Sequence, residues 1–166
     1  MVNISEASVN DIIAIRNIAY QTWPKVYADI ITQAQITYML DLFYSESALL
    51  ESIINKKHEF LLVKEQNVAI GFAGFEHGFL QEKVTRLHKL YLLPAAHGKG
   101  LGKLLLKAVA AKSKENFSTI MSLNVNKYNP TIAFYKKMGF EIVGEEKLAI
   151  GNDYFMDDYK MELKLT

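Results

Sequence analysis

One stretch near the middle of the chain constrains the fold more than any other. It runs from an apolar segment, VTRLHKLYLL (84–93), through Pro94 and the loop HGKGLGK (97–103), into the helical pattern LLLKAVAA. Glycine costs about 1 kcal/mol per residue inside a helix, so three glycines beside a helix start indicate a sharp turn or a close approach to a ligand. The stretch therefore predicts a strand, a glycine loop and an amphipathic helix in direct succession.

The N-terminal third of the chain is predicted to be mostly helical. A short strand is expected at 2–7, followed by a helix that Ser8 caps, with Asp11 in the capping-box position, and that ends at Pro24. A second helical region covers roughly 33–55, where apolar residues keep the spacing of one helix face. Two helices are therefore expected before the main strands begin.

The rest of the chain is predicted to combine strands with two further helices. The predicted strands are 59–63, 68–76, 84–93, 118–125, 140–149 and 154–163. The turn KEQN between the first two is typical of a hairpin. Asn129 is expected to cap the last helix, with Pro130 at its first position and Gly139 at its C-terminal end. The order β-α-α-β-β-β-α-β-α-β-β predicts an α/β (α+β) fold, in which one mixed sheet carries helices on both faces.

Composition excludes several classes of protein. The 166 residues, half of them apolar, are expected to form a single domain, 1–166, with a real core. The 19 basic and 18 acidic residues nearly balance, so we expect no nucleic-acid partner. The absence of cysteine excludes disulfides and cysteine nucleophiles, and we expect no metal site. No apolar run approaches about 18 residues and no signal-peptide pattern stands at the start, so we expect a cytoplasmic protein without a membrane partner.

Two known phosphate-binding motifs do not match the glycine loop. The Walker A pattern G-x-x-x-x-G-K-[ST] fails because His97 stands at its first glycine and Leu104 at its last position. The dinucleotide fingerprint G-x-G-x-x-G fails because the loop reads G-x-G-x-G and follows the fourth strand rather than the first. The free N–H groups of a helix start, with Lys99 and Lys103, still favour an anion. A tight turn without a ligand accounts for the loop equally well.

Two separated segments carry a more specific pattern. LYLLPAAHGKGLG (90–102) places a glycine loop after a strand, and in LNVNKYNPTIAFYKKMGFEIVGE (123–145) Asn129 begins a helix, Tyr135 follows six residues later and G-F starts the next strand. These segments resemble motifs A and B of the GCN5-related N-acetyltransferases, the GNAT superfamily. The resemblance extends over the whole chain. Within the superfamily, HGKGLGKLLL, FYKKMGFEIVGE and GNDYFMDDYKMEL are most similar to the PaiA-type polyamine acetyltransferases.

The resemblance implies acetyl-CoA as the donor and a mostly antiparallel central sheet of six to seven strands. The loop would hold the pyrophosphate through backbone N–H groups, Leu92 would pair with the pantetheine arm, and the N–H of Leu90 would point at the acetyl carbonyl. One such N–H is worth about 3 kcal/mol in a transition state. Asn129 would bind the arm as well as cap its helix. The implied cofactor-binding residues are Leu90, Leu92, His97, Gly98, Lys99, Gly100, Leu101, Gly102, Lys103, Asn129 and Tyr135.

The resemblance also makes Tyr135 the proton donor to the departing CoA thiolate. Ordinary pKa values are about 10 for tyrosine and about 8.5 for a thiol, so full transfer of the proton is uphill by roughly 2 kcal/mol. We therefore expect a hydrogen bond that stabilises the thiolate, with transfer completed late.

His88 is the predicted base that deprotonates the acceptor amine, through a water molecule. Its ordinary pKa of about 6.5 suits that task, and in the absence of a bulge it shares a strand face with Leu90 and Leu92. Glu76 and His77, at the end of the preceding strand, are weaker candidates. The alternative is that His88 has only a structural role, with its ring hydrogen-bonded inside the sheet.

Two histidines depart from the pattern of the family, and a third has no assigned role. His97 occupies a position that is usually Gln or Arg, and His88 occupies one that PaiA-type enzymes usually fill with glutamate. The identity of the base therefore stays open. His58 is predicted to lie at the surface.

The first two helices and the last hairpin wall the acceptor site in this family. The predicted acceptor-binding residues are Trp23, Tyr27, Tyr38 and Asp153, with Phe43, Tyr154, Phe155, Asp157 and Asp158 nearby. Aromatic rings and carboxylates together suit an ammonium group. They favour a small primary amine such as a polyamine, which attacks acetyl-CoA directly in a ternary complex. The alternative is that these residues bind no ligand: the aromatic rings belong to the core, and the carboxylates lie on a solvent-exposed turn.

Two other functions fit the same motifs. A peptide or protein amine could replace the small acceptor, in an open and less acidic groove. A sensor that binds acyl-CoA without turnover would keep the loop but not need Tyr135. The resemblance also makes a homodimer a further expectation.

Overall fold

The structure, a computed structural model, describes residues 1–166 and contains seven strands and five helices. The strands are β1 (Val2–Glu6), β2 (Glu59–Glu65), β3 (Val68–His77), β4 (Val84–Leu92), β5 (Ile120–Asn126), β6 (Glu141–Gly151) and β7 (Tyr154–Lys164). The helices are α1 (Ile12–Val26), α2 (Gln33–Tyr44), α3 (Glu46–Ile54), α4 (Leu101–Glu115) and α5 (Thr131–Lys137). None of the five helices combines the length and the apolar character that crossing a bilayer requires.

All seven strands belong to one sheet, in the order β1-β2-β3-β4-β5-β7-β6. Every neighbouring pair is antiparallel except β4 and β5, which are parallel and are joined through α4. Helices cover both faces: α4 and α5 pack on one, and α1, α2 and α3 on the other. The predicted mixed, mostly antiparallel sheet with helices on both faces is confirmed.

The helix after the glycine loop shows how the sequence builds the core. Leu101, Leu105 and Val109 recur at helical spacing, are buried on one side of α4, and pack against the sheet through Met121 and Met161. Burial of each such side chain stabilises the fold by about 1.5–3 kcal/mol. This packing holds the glycine loop at the end of β4.

Two predicted helix boundaries are wrong. Helix α1 does not end at Pro24 but continues to Val26, and its last turn closes with the N–H of Tyr27 donating to the carbonyl of Trp23 at 3.0 Å. Pro24 removes one hydrogen bond near the end of the helix, where the carbonyl left unpaired belongs to the half-exposed Tyr20 and can bond to water.

The region 33–55 forms two helices rather than one. Ser45 breaks it with an extended backbone, φ −62° and ψ 153°, and its hydroxyl accepts a hydrogen bond from the N–H of Ala48 at 3.2 Å. The apolar residues of α2 and α3 pack into the same core, so their spacing continues across Ser45. Periodicity alone therefore did not predict the break. Three helices therefore precede β2.

The predicted caps form at the first and the last helix. Ser8 and Asp11 make the capping box, which opens a short 3-10 turn that continues into α1. The carboxamide of Asn129 accepts from the backbone N–H of Thr131 at 2.9 Å, so α5 begins one residue later than predicted. Gly139, at φ +101°, ends it as expected.

Candidate active site

The two parallel strands at the centre of the sheet separate halfway along their length. Their last register pair is Leu87 opposite Leu123; beyond it β4 stays on β3 and β5 stays on β7. The N–H of Leu93 donates to Ile70 on β3 at 2.9 Å. Since successive N–H groups of a strand point to opposite sides, those of residues 90 and 92 face the opening between β4 and β5. An extended ligand can pair with this free edge.

The glycine loop at the end of β4 leaves backbone donors unpaired. Gly98 and Gly100 have φ values of +77° and +73°, which glycine adopts without strain, and no atom lies within 4 Å of the Cβ that either would carry. No side chain caps α4, and the first of its N–H groups bonded within the helix is that of Leu104, which donates to Gly100. The N–H groups of 101–103 and the dipole of a 15-residue helix therefore point at open space.

A cleft of about 530 Å³ lies between this loop and α5. Its lining residues are Leu90, Leu92, His97, Gly98, Gly100, Leu101, Gly102, Lys103, Thr131, Phe134, Tyr135, Lys137 and Met138. We call it the donor cleft. Nine of the residues predicted to bind the cofactor line it, whereas Lys99 and Asn129 do not. Lys99 forms a surface ion pair with Glu65 at 3.9 Å, and Asn129 lines a second cavity.

Sequence reasoning missed one wall of the donor cleft. Thr131, Phe134 and Met138 line it beside Tyr135, and their spacing along α5 is that of one helix face. That spacing could have identified them once Tyr135 was assigned to the site. Lys137, also on this wall, adds a cation to the cleft.

A larger cavity of about 730 Å³ opens on the face of the sheet that α1 and α2 cover. We call it the acceptor cavity. Five residues line both spaces: Leu90, Leu92, His97, Thr131 and Tyr135. The donor cleft and the acceptor cavity therefore meet where β4 separates from β5, beside Tyr135.

Aromatic side chains form one wall of the acceptor cavity. Trp23 and Tyr27 pack with ring centroids 4.6 Å apart, and the Tyr27 hydroxyl lies 3.1 Å from that of Tyr91. Phe43 lines the same cavity. Trp23, Tyr27 and Phe43 are thus brought together as predicted for an acceptor wall.

Several other residues predicted near the acceptor lie outside this cavity. Tyr38 packs against Tyr154, and its hydroxyl donates to the carbonyl of Ile150 at 3.0 Å. Asp153 is exposed in the turn between β6 and β7, where the cavity does not reach. Phe155 and Asp157 are also absent from the lining, and Asp157 forms an ion pair with Lys127 at 3.2 Å.

Asp158 is the buried carboxylate of the acceptor cavity. It is 6% exposed, and its Oδ1 has no hydrogen-bond partner. Burial raises its pKa to about 6. Glu146 stands opposite it in the register of β6 and β7 and accepts a hydrogen bond from Asn124 at 3.2 Å. The Asn124 side chain hydrogen-bonds to the Asp158 carboxylate and Arg86 lies near it, so Oδ1 is the oxygen left for a cationic ligand.

The side chain of Tyr135 is 7% exposed and reaches the junction of the two spaces. Burial raises the pKa of its hydroxyl, so the group stays protonated at neutral pH. No protein group accepts a hydrogen bond from it. It is therefore available as a donor to a ligand at the junction.

A bulge in β4 changes where His88 points. The register of β3 against β4 shifts from Gly74 opposite Lys89 to Phe75 opposite Leu87, which leaves His88 as the extra residue. A bulge of this kind turns two consecutive side chains toward the same face.

His88 consequently lies apart from the leucines that follow it. Leu90 and Leu92 pack against the core under α4, whereas the ring of His88 stacks on His58 at 4.2 Å and lines the acceptor cavity. His88 was expected to share a strand face with Leu90 and Leu92 only in the absence of a bulge, and the bulge removes that condition. His58 is not a surface residue as predicted: its side chain is 13% exposed, because the stack covers it.

Glu76 orients the stacked histidines. Its Oε1 lies 2.9 Å from Nε2 of His88 and 3.6 Å from Nε2 of His58. Burial, with the nearby positive charge of Lys89, lowers the pKa of both histidines to about 3, so both are neutral at pH 7. His77, the other weak candidate, points elsewhere and bonds to Thr85 at 2.8 Å.

The same three side chains have ligand atoms within 4.8 Å of one another, a spacing that a metal ion could use. The rings of His58 and His88 are within 17° of parallel, so an ion between them would lie out of both ring planes. Lys57 and Lys89 add positive charge beside them. The arrangement favours hydrogen bonding through Glu76 over ligation of an ion.

Comparisons with known proteins show the family and the fold to which the chain is similar. A sequence model of the acetyltransferase (GNAT) family matches residues 13–140. The chain is 28% identical over 144 residues to an uncharacterized N-acetyltransferase of Mycobacterium tuberculosis, covering 84% of this chain and 91% of that protein. It is 27% identical over 161 residues to the spermidine N(1)-acetyltransferase of Thermoplasma acidophilum, covering 94% and 96%.

The fold has close counterparts among solved structures. The PaiA N-acetyltransferase of Thermoplasma acidophilum, solved in complex with coenzyme A, superposes with a TM-score of 0.84 at 25% identity, covering 99% of each chain. The ribosomal-protein-S18-alanine N-acetyltransferase of Escherichia coli superposes with a TM-score of 0.75 at 18% identity, covering 100% of this chain and 95% of that one. At that identity the second likeness shows the fold alone.

Proposed function

Because the chain belongs to the acetyltransferase (GNAT) family and is an acetyl-CoA-dependent N-acetyltransferase, we propose that its acceptor is the primary amine of a small molecule such as a polyamine. The observation that carries this proposal is the junction of two spaces at Leu90 and Tyr135, with the buried Asp158 in the acceptor cavity. The likeness to a spermidine N(1)-acetyltransferase supports an amine acceptor of this class.

The donor cleft fits a CoA pyrophosphate. The positions where Gly98 and Gly100 would carry Cβ atoms are open, and the N–H groups of 101–103 are unpaired. Lys103 and Lys137 line the same cleft. Backbone donors at a helix start, with two cations, are the groups that bind phosphate oxygens.

Leu90 is placed to stabilise the oxyanion that forms as the amine attacks. Acetyl-CoA supplies the acetyl group and, when the carbon–sulfur bond breaks, a thiolate leaving group. The free N–H of Leu90 faces the opening of the sheet, where it can donate to the acetyl oxygen. Such a donor is worth about 3 kcal/mol, because the hydrogen bond strengthens as charge develops.

Tyr135 is placed to donate a hydrogen bond to the departing thiolate. Its raised pKa makes complete proton transfer less favourable than it is for an ordinary tyrosine. The hydroxyl therefore stabilises the thiolate by a hydrogen bond first. It transfers its proton to the thiolate only after the carbon–sulfur bond has broken.

On the acceptor side, Asp158 binds the amine and His88 removes a proton from it. Asp158 holds the ammonium of the incoming amine. His88 lies toward the other end of the acceptor cavity, so it takes the proton through a chain of water molecules, while its Nε2–H donates to Glu76 and leaves Nδ1 as the proton acceptor. Burial lowers the pKa of His88 to about 3, which makes it a weaker base than an ordinary histidine. The bulge supports this role because it turns His88 into the acceptor cavity.

A thermal-shift assay followed by an amine panel tests the proposal. Acetyl-CoA and CoA, but not ATP or NAD, should raise the melting temperature; a ligand at about 100 times its Kd adds roughly 2.7 kcal/mol of stability. With acetyl-CoA present, release of the CoA thiol should then depend on added small amines. Turnover of peptide N-termini or protein lysines, with none for small amines, would assign the alternative acceptor class and contradict the proposal.

A further inference from the structure

Lys89 is a lysine without a counter-ion inside the acceptor cavity. Lys89 alternates with Leu90 along β4 and therefore faces this cavity, where its Nζ lies 5.2 Å from the centre of the Tyr44 ring and 5.4 Å from that of Phe60. No carboxylate lies within ion-pair distance of it, and it lines the cavity that Asp158 also lines. Burial alone lowers its pKa to about 8.

The surroundings of Lys89 are positive or neutral rather than acidic. Lys57, His58 and His88 line the cavity on the same side. Glu76 is the carboxylate of this end, and it is engaged by His88 at 2.9 Å. An ammonium placed here would meet two lysines and a carboxylate that is already hydrogen-bonded.

The other end of the acceptor cavity has the opposite character. Asp158 and Glu146 face each other there across β6 and β7, and Oδ1 of Asp158 has no partner. Two cations offset part of this negative charge: Arg86 lines the same cavity and donates to Asn124 at 2.8 Å, and Lys160 lies 3.9 Å from Glu146. Oδ1 of Asp158 is still left without a partner. The acceptor cavity therefore has an anionic end and a cationic end.

We propose that the acceptor carries an anionic group as well as the amine, with Lys89 binding the anion and Asp158 the ammonium. The substrate class is a small primary amine that also carries a carboxylate, the two groups separated by a carbon chain; it narrows the small-amine class of the proposed function and replaces the polyamine named there as its example. This inference rests on the proposed function, since it assigns the substrate of the same site.

Electrostatics decides between the two classes of acceptor. A carboxylate beside Lys89 would accept a charge-assisted hydrogen bond from its ammonium group. That group is buried and has no other ionic partner, so the bond would offset the cost of burying its charge. A second ammonium in that place would be repelled by Lys89 and Lys57. The lining of the cationic end by Tyr44 and the aliphatic stem of Lys89 suits the carbon chain that joins the two charges.

Matched pairs of acceptors test this inference. Each pair has one chain length and differs in one terminus: 4-aminobutanoate against diaminobutane, 5-aminopentanoate against diaminopentane, and 6-aminohexanoate against diaminohexane. Rates are measured by CoA-thiol release at fixed acetyl-CoA. We expect kcat/KM for the amino acid to exceed that of its diamine at least tenfold at the best chain length.

Variants of Lys89 give a second readout. Lys89→Met keeps the aliphatic stem and removes the charge, so KM for the amino acid should rise at least tenfold while KM for the diamine stays the same or falls. Lys89→Arg should restore the preference, because it restores the cation. Lys147→Met is the matched control, since Lys147 lies outside both spaces, beside Phe155 at 5.1 Å, and both KM values should be unchanged.

The outcomes separate this inference from the proposed function. Diamines or spermidine turned over as well as or better than the amino acids would overturn the role of Lys89 and leave a small-amine acetyltransferase in place. An unchanged preference in Lys89→Met would overturn it too. Turnover of neither class, with acetyl-CoA binding intact, would overturn the proposed function and this inference with it.

Discussion

The backbone of Leu90 on β4 and the hydroxyl of Tyr135 on α5 meet at one place, where the donor cleft and the acceptor cavity open into each other. At this point β4 is paired only with β3, because its pairing with β5 ends at Leu87. One group can therefore stabilise the developing oxyanion while the other stabilises the leaving thiolate. The chain also has no cysteine to carry an acyl group, which favours direct attack by the amine.

Replacement of Tyr135 by phenylalanine should slow the reaction without weakening donor binding. We expect kcat to fall by about 10²-fold, the size of effect typical of general acid catalysis, while Kd for acetyl-CoA stays within twofold. Thiol release and isothermal titration measure the two quantities. Tyr128→Phe, at an exposed tyrosine, is the matched control and should change neither. A normal kcat in Tyr135→Phe would remove Tyr135 from the mechanism.

Replacement of Gly100 by alanine should weaken binding of acetyl-CoA. The backbone there has φ +73°, a region that costs a non-glycine residue about 1–2 kcal/mol, and the added methyl would occupy the open space above the loop. We expect Kd to rise at least tenfold. Gly144→Ala on β6 is the control, because its Cβ would make an ordinary 3.7 Å contact with Lys160. Equal Kd values for the two variants would argue against the loop as the pyrophosphate site.

Replacement of Asp158 by asparagine should lower activity and raise stability. Without the carboxylate, KM for the amine should rise at least tenfold at pH 8. The folded state binds a proton at Asp158 more tightly than the unfolded chain, because burial raises the pKa from 3.8 to about 6. The stability from this group is therefore present below about pH 4 and is lost as the pH rises through 6.

Asparagine does not ionise, so the Asp158→Asn variant keeps the stability that ionisation of Asp158 removes at high pH. It should therefore melt at a higher temperature than the wild type at pH 8, with the difference shrinking toward pH 4. After allowance for solvent screening we expect about 1 kcal/mol, which is a few degrees for a chain of this size. Differential scanning at the two pH values measures it. A lower melting temperature at pH 8 together with an unchanged KM would contradict the role of Asp158.

Replacement of Glu76 by glutamine should slow proton removal from the amine. Glutamine keeps the shape but loses the charge that favours a protonated His88 during the reaction, so kcat should fall about tenfold with Kd for acetyl-CoA unchanged. His88→Gln should cost more, about 10²-fold. His77→Gln is the control, because His77 bonds to Thr85 away from both spaces. An effect of His77→Gln equal to that of Glu76→Gln would mean that the sheet, and not the base, had been disturbed.

Most residues that line the donor cleft could be predicted from sequence because they are local. Leu90, the glycine loop and the start of α4 follow one another in the chain, and glycines with positive φ leave a clear signal. Tyr135 was assigned through the resemblance of 123–145 to motif B of the family, in which a tyrosine follows the asparagine by six residues. The backbone proposed to bind the cofactor therefore lies in two short segments.

The acceptor side could not be predicted as well because it depends on tertiary register. A bulge opposite Gly74 and Phe75 is not visible in the pattern of β4, yet it decides that His88 faces the acceptor cavity beside Lys89. The burial of His58 follows from its stack on His88, which comes from another strand. Tyr38 and Asp153 have the right residue types but lie on parts of α2 and the last hairpin that the cavity does not reach.

The measurement that tests the central claim most directly is an initial-rate study in which acetyl-CoA and the best amine are both varied. Direct transfer at the junction of the two spaces requires both ligands to be bound at once, so double-reciprocal plots should intersect, and intact-mass measurement after incubation with acetyl-CoA alone should show an unmodified chain. Parallel lines, together with a stably acetylated enzyme that passes its acetyl group to the amine, would contradict the account.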